Sequence, residues 1–161
     1  MRRRGMLAAA VGGLLTALMF GAPALADAGA DTRDRVDPLI LEVTAEVPGG
    51  VIIDAQHAVW PRLGMELVAA EQPRAESTAT VGSCATGTVC VYTGSSLGGA
   101  KLSWSACGVL PIPSSFSVKS IADARSGGYA QARNGTTVLA TAPAGGWANV
   151  GGTSTNVRCV L

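Results

Sequence analysis

The chemistry of this chain is concentrated in four residues: Cys84, Cys90, Cys107 and Cys159. They are its only cysteines, and all lie in the second half of 161 residues. In an exported chain such a set reads as a disulfide framework, because thiols oxidise outside the cytosol. Cys84 and Cys90 stand six apart around Ala85-Thr86-Gly87-Thr88, enough to close a loop with Gly87 in the turn. Pairing them leaves Cys107 for Cys159, a bridge from a mid-chain loop to the last strand. Four cysteines allow three pairings, and sequence alone does not choose among them. The longer bridge closes the larger loop, which in the chain-entropy model is worth roughly 3–4 kcal/mol. Zinc is the rival use of these thiols. It fails on spacing, since there is no Cys-x-x-Cys pair and the one histidine, His57, lies in the other half. No metal and no cofactor is expected.

Catalytic patterns are missing as well. The chain has no Gly-x-Ser-x-Gly, no His-Glu-x-x-His and no glycine-rich phosphate loop. His57 has no serine or acid partner at a recognisable spacing, so it reads as structural. The expectation is a protein that binds, not an enzyme.

The first residues say where the thiols act. Met1-Arg2-Arg3-Arg4 is followed by an apolar run from Leu7 to Phe20 and then by Ala24-Leu25-Ala26. A basic start, an apolar stretch shorter than the ~20 residues of a membrane span, and a small-x-small end make residues 1–26 a signal peptide. The expected product is secreted and extracellular, with no membrane attachment after cleavage. The short, Ala-rich leader and the Ala/Gly-rich composition suggest a bacterial product.

Charge divides the remainder. Between Asp27 and Thr80 ten acids face four arginines; from Val81 onward one acid, Asp123, faces Lys101, Lys119, Arg125, Arg133 and Arg158. The basic half is too dilute for nucleic acid, with no Lys/Arg run.

The elements follow from turn residues and periodicity. Residues 27–70 form an acidic helix-hairpin segment. Asp37 caps a helix with Pro38 at its first position, and Pro48-Gly49-Gly50 ends it. Val51–Ile53, Ala58–Trp60 and Met65–Val68 read as short strands. This segment is too small to hold a core alone, so it is a packed appendage or a removable pro-segment. Residues 71–83 have linker composition. Residues 84–161 are strands at short intervals between glycine-marked turns, with Asn134-Gly135 the strongest hairpin signal. Such spacing predicts an antiparallel sandwich or barrel.

Residues Cys84-Ala-Thr-Gly-Thr-Val-Cys90-Val-Tyr92-Thr-Gly-Ser-Ser-Leu97-Gly-Gly99 resemble the opening of the secreted actinobacterial peptidase inhibitors of family 36, inhibitors of metalloproteinases. The resemblance implies a βγ-crystallin-like Greek-key sandwich over residues 84–161. Tyr92, Leu97 and Gly99 fill its signature, with Leu97 in place of the second aromatic. Ser117–Arg125 resembles the serine-bearing strand that closes the first key, whereas the second key is degenerate after Tyr129. The calcium ligands of many such modules are missing from residues 115–120.

What the resemblance implies functionally is inhibition of an extracellular peptidase by a monomer that occupies the enzyme's cleft. A rigid loop suits that role, because rigidity lowers the ordering cost of binding. The stiffest apolar stretch is Cys107–Phe116, with Val109, Leu110, Pro111, Ile112 and Pro113 as the candidate inhibitory loop. The alternative expectation is a non-enzymatic extracellular binding or structural module. Its partner would be another protein or a cell-wall glycan, stacked on Tyr92, Trp104, Tyr129 or Trp147.

Overall fold

The computed structural model describes residues 36–69 and 81–161. The expected signal peptide at 1–26 and most of the expected linker at 71–83 therefore lie outside the described residues.

The chain starts with a short helix whose beginning is chemically specified. Helix α1 (Pro38–Glu46) is capped by Asp37, whose carboxylate accepts the Leu39 amide at 2.9 Å, and Pro38 occupies the first turn. Ile40 and Val43 are fully buried on one face. Strands β1 (Val51–Asp54), β2 (His57–Trp60) and β3 (Met65–Val68) then form an antiparallel meander. Trp60 is buried, and its indole N–H donates to the Val47 carbonyl at 2.8 Å, which fixes the end of α1 on β2.

Eight further strands make the sandwich. In chain order they are β4 (Val89–Tyr92), β5 (Lys101–Trp104), β6 (Val109–Pro111), β7 (Ser120–Asp123), β8 (Tyr129–Asn134), β9 (Thr137–Pro143), β10 (Gly146–Asn149) and β11 (Asn156–Val160). One sheet has the order β1-β2-β3-β5-β4-β7-β10 and the other β6-β11-β8-β9, with antiparallel neighbours throughout. Each run of four strands thus sends its third member, β6 or β10, into the other sheet. Neither half can close without the other.

Strand β4 shows why the sequence alternates as it does. Its residues point to opposite faces, and both faces are covered. Val89 and Val91 join the central core, while Cys90 and Tyr92 join a second cluster with Cys84, Ala122 and Ala124. That outer cluster is roofed by the folded turn after β4. Ser96 and Leu97 lie in the left-handed region at φ 54° and 66°, a conformation costly for side-chain-bearing residues. Two side chains hold it: Asn149 Oδ1 accepts the Ser96 amide at 2.9 Å, and Ser120 Oγ accepts the Leu97 amide at 3.0 Å. Ser120 also donates to the Gly94 carbonyl at 2.7 Å. Gly99, at φ 76°, has no room for a Cβ, which would stand 2.5 Å from Thr93 Oγ1. No such turn interrupts β8 and β9, which are joined directly through Gly135 at φ 57°.

The disulfides are Cys84–Cys90 and Cys107–Cys159. The second lies against a buried ion pair. Asp123, fully buried on β7, receives a two-pronged contact from Arg125, with Nε on Oδ1 at 2.8 Å and Nη2 on Oδ2 at 2.7 Å. The same guanidinium reaches both sulfurs of Cys107–Cys159 and the carbonyls of Tyr129 and Val160. Side chain, bridge and backbone from both sheets therefore meet at one cation.

Two outcomes follow. Asp123→Asn strands the Arg125 charge in the interior and should cost about 3–5 kcal/mol in urea unfolding, most of it recovered in Asp123→Asn/Arg125→Met. Ser120→Ala leaves two backbone groups of the left-handed turn unpaired and should cost about 1–3 kcal/mol; a loss below about 0.5 kcal/mol would show that the turn does not depend on it.

Candidate functional site

The seven-stranded sheet is wider than the four-stranded one. Strands β1–β3 extend beyond its partner; α1 packs against β2, laying Ile40 and Val43 into the same core as Ala58, Trp60 and Leu67, while all four residues of β1 stay exposed. Where the end of α1 approaches the edge strand β6, a groove of about 480 Å³ remains. Met65 and Trp104, which pair across β3 and β5, form its floor. Leu63 and Arg62 stand on one side and Val109–Pro113 on the other.

The stretch expected as the inhibitory loop forms this wall, but it is not a loop. Val109–Pro111 is strand β6, paired with Arg158, Val157 and Asn156 of β11. Its flanks pair too: Gly108 accepts the Cys159 amide at 2.8 Å, and Ile112 donates to Thr155 at 3.1 Å. Pro111 is tolerated because β6 is an edge strand, where a missing N–H breaks no ladder. Alternation then sorts the side chains. Val109 is 69% exposed and Pro111 is exposed, whereas Leu110 and Ile112 are each only 8% exposed and Pro113 is buried. Three of the five expected contact residues therefore have most of their surface inside this molecule.

Both ends of the segment are fixed. Cys107 is bonded to Cys159. At the far end Glu46, from the end of α1, accepts the amides of Ser114 and Ser115 and the Ser115 hydroxyl, the last two at 3.2 and 3.1 Å. The Ser114 amide, foremost, holds the Glu46 carboxyl below its ordinary range. No sequence pattern joins residues 68 and 69 positions apart, so this clamp had no signal to be read.

The remaining candidates fall elsewhere. Tyr92, Leu97 and Gly99 build the folded turn, and Tyr92 is buried with its hydroxyl accepting from Ser83 at 3.3 Å. Its phenol is shifted upward by burial. Val81, Gly82 and Ser83, read as linker, pack here: Val81 bridges to Cys84, Leu97 lies under Gly82, and Lys101 donates to Ser83 at 3.0 Å. Of the aromatics considered for sugar stacking, Tyr92 and Trp104 are buried, Tyr129 is half-buried and Trp147 is 46% exposed.

A second, polar cavity of about 360 Å³ lies by the hairpin, lined by Asp54, Gln56, His57, Glu66, Val68 and Lys101. His57 Nε2 is 2.9 Å from Glu66 Oε1. Burial lowers the Lys101 pKa, and Glu66 opposes that shift. The lining holds no hydroxyl or thiol that this His–Glu pair could activate. Among the described residues no three His, Cys, Asp or Glu side chains cluster as metal ligands, and no helix is long and apolar enough to cross a membrane.

No family model matches the chain, and neither curated proteins nor solved structures match it.

The Glu46 clamp has a pH signature. A carboxyl whose pKa is lower folded than unfolded adds stability that is complete above the unfolded value and disappears as pH falls through the folded one. The stability of wild type over Glu46→Gln should therefore be constant above about pH 5.5 and shrink below the ordinary value of 4.5. Glu46 is exposed, so the effect should be no more than about 1 kcal/mol. Equal pH profiles for the two proteins in urea titrations would remove the clamp.

Proposed function

We propose that this chain is a secreted, non-enzymatic inhibitor of extracellular peptidases, probing an enzyme cleft with the ridge of strand β6. The observation that carries the reading is the double anchorage of residues 107–115. A disulfide holds one end, the Glu46 clamp holds the other, and β11 pairs with the middle. Val109 and Pro111 are thereby presented on a segment that has little conformational freedom left to lose, which is what tight occupation of a cleft without productive cleavage requires. The resemblance of Cys84–Gly99 to the family 36 inhibitors supports a metalloproteinase as target. The exchange of β6 and β10 between sheets, and Ser120 bracing the turn after Tyr92, support the βγ-crystallin-like reading of the sandwich.

Export is supported by the leader-like first 26 residues and by two disulfides, which persist in oxidising compartments. A monomer needing no metal or cofactor is sufficient for this role. The glycan-binding alternative loses support, because two of its four aromatic candidates are interior and only Trp147 is well exposed.

The test is titration of the purified, oxidised protein against thermolysin-like and serine peptidases. Inhibition of a metalloproteinase is expected, weakened about tenfold or more (roughly 1.4 kcal/mol) by Val109→Asp and little by Trp147→Ala. No inhibition across the panel, or loss only with Trp147→Ala, overturns the proposal. Intact-mass analysis of the exported form should show cleavage after Ala26 and no free thiol.

A further inference from the structure

We infer that the groove between α1 and β6 is a binding site for an extended peptide that carries an apolar side chain next to a carboxylate. The site goes beyond inhibition: it shares β6 with the ridge proposed above, but its ligand need not belong to a peptidase.

Three features define the ligand. The first is the backbone of β6. Gly108 and Ile112 direct their carbonyl and amide at β11, and Leu110 is opposite Val157. In an antiparallel ladder these groups alternate, so the N–H and C=O of Val109 and the C=O of Pro111 face outward along the groove. An added strand can exchange both hydrogen bonds with Val109 and donate one to Pro111. Pro111 offers no N–H, so pairing is limited to this short stretch, which blunts indiscriminate edge-to-edge association.

The second is the cavity. An open groove of about 480 Å³ lies over a floor of Met65 and Trp104, between Leu63 and Val109. That size and lining suit a Leu-, Ile- or Phe-sized side chain.

The third is charge. Arg62 lines the groove and takes part in no hydrogen bond or ion pair among the described residues. The other charged group in the lining, Glu46, is committed to Ser114 and Ser115. The free charge in the groove is therefore positive, and a guanidinium pairs best with a planar carboxylate.

The experiment uses the intact, disulfide-bonded chain, isotopically labelled for NMR, and two capped hexapeptides that differ at one position. One carries Leu-Glu at its centre and the other Leu-Lys. The Leu-Glu peptide should shift the Val109 amide and the Trp104 indole and bind roughly fivefold or more tightly than the Leu-Lys peptide. Arg62→Glu, a surface change, should reverse that order without moving resonances of the β8–β9 hairpin, and Arg62→Gln should abolish the difference. Equal binding of both peptides to wild type, tighter binding of the lysine peptide, or shifts that spare Val109 and Trp104 would each overturn the inference. Peptidase titration is a separate readout, so failure here and failure of inhibition are distinguishable.

Discussion

The two sheets are held in register by one buried carboxylate. Asp123 ends β7, Arg125 turns back onto it, and the guanidinium then spans the Cys107–Cys159 bridge and the carbonyls of Tyr129 and Val160. Desolvating such a pair is expensive, and the expense is recovered only when the remaining donors are satisfied. Here they are, by groups that arrive from β8, β11 and the approach to β6. The pair thus favours one relative position of the sheets, the position in which β6 lies beside β11. A purely apolar contact would fill the same space with less directional demand.

That placement of β6 produces the surface features of interest. With the short sheet ending at β6 and the long sheet continuing through β3, β2 and β1, the chain must cover the exposed inner face or leave it wet. Helix α1 covers it over β2, leaves β1 exposed, and is too short to close the gap beside β6. The groove is what remains. Glu46 bridges the gap at one end through the Ser114 and Ser115 amides, so the strand is stiffened from the side that β11 does not reach. Rigidity and the cavity therefore share one origin, a mismatch in sheet width.

Much of this was visible in the residue order because it is local. The Asp37-Pro38 start of α1, the meander of β1–β3 and the positive-φ positions at Gly87, Gly99 and Gly135 are marked by residues within a few positions, although distant groups such as Ser120 and Asn149 then brace the turn before Gly99. Tyr92, Leu97 and Gly99 are also a local pattern, and the turn they mark is present. Strand β6 was read as loop for a physical reason: three residues that include Pro111, with Pro113 two positions on, have no strand signature of their own, and the pairing that makes them a strand comes from residues 156–158. Leu110 and Ile112, named as members of the candidate inhibitory loop, face inward for the same reason, since a two-residue period decides facing only once the strand is known.

By itself the sequence determined the inventory and its chemistry: four cysteines, a single late acid, an unusual density of turn residues, and a helix with its own cap. Local propensity and composition are enough for these. The tertiary structure alone decided which groups came together. Whether the Asp123–Arg125 pair would be buried against the Cys107–Cys159 bridge, and whether Glu46 would reach Ser114, depend on contacts between segments tens of residues apart. Those contacts exist only after burial of the shared core has compensated the entropy of bringing them together.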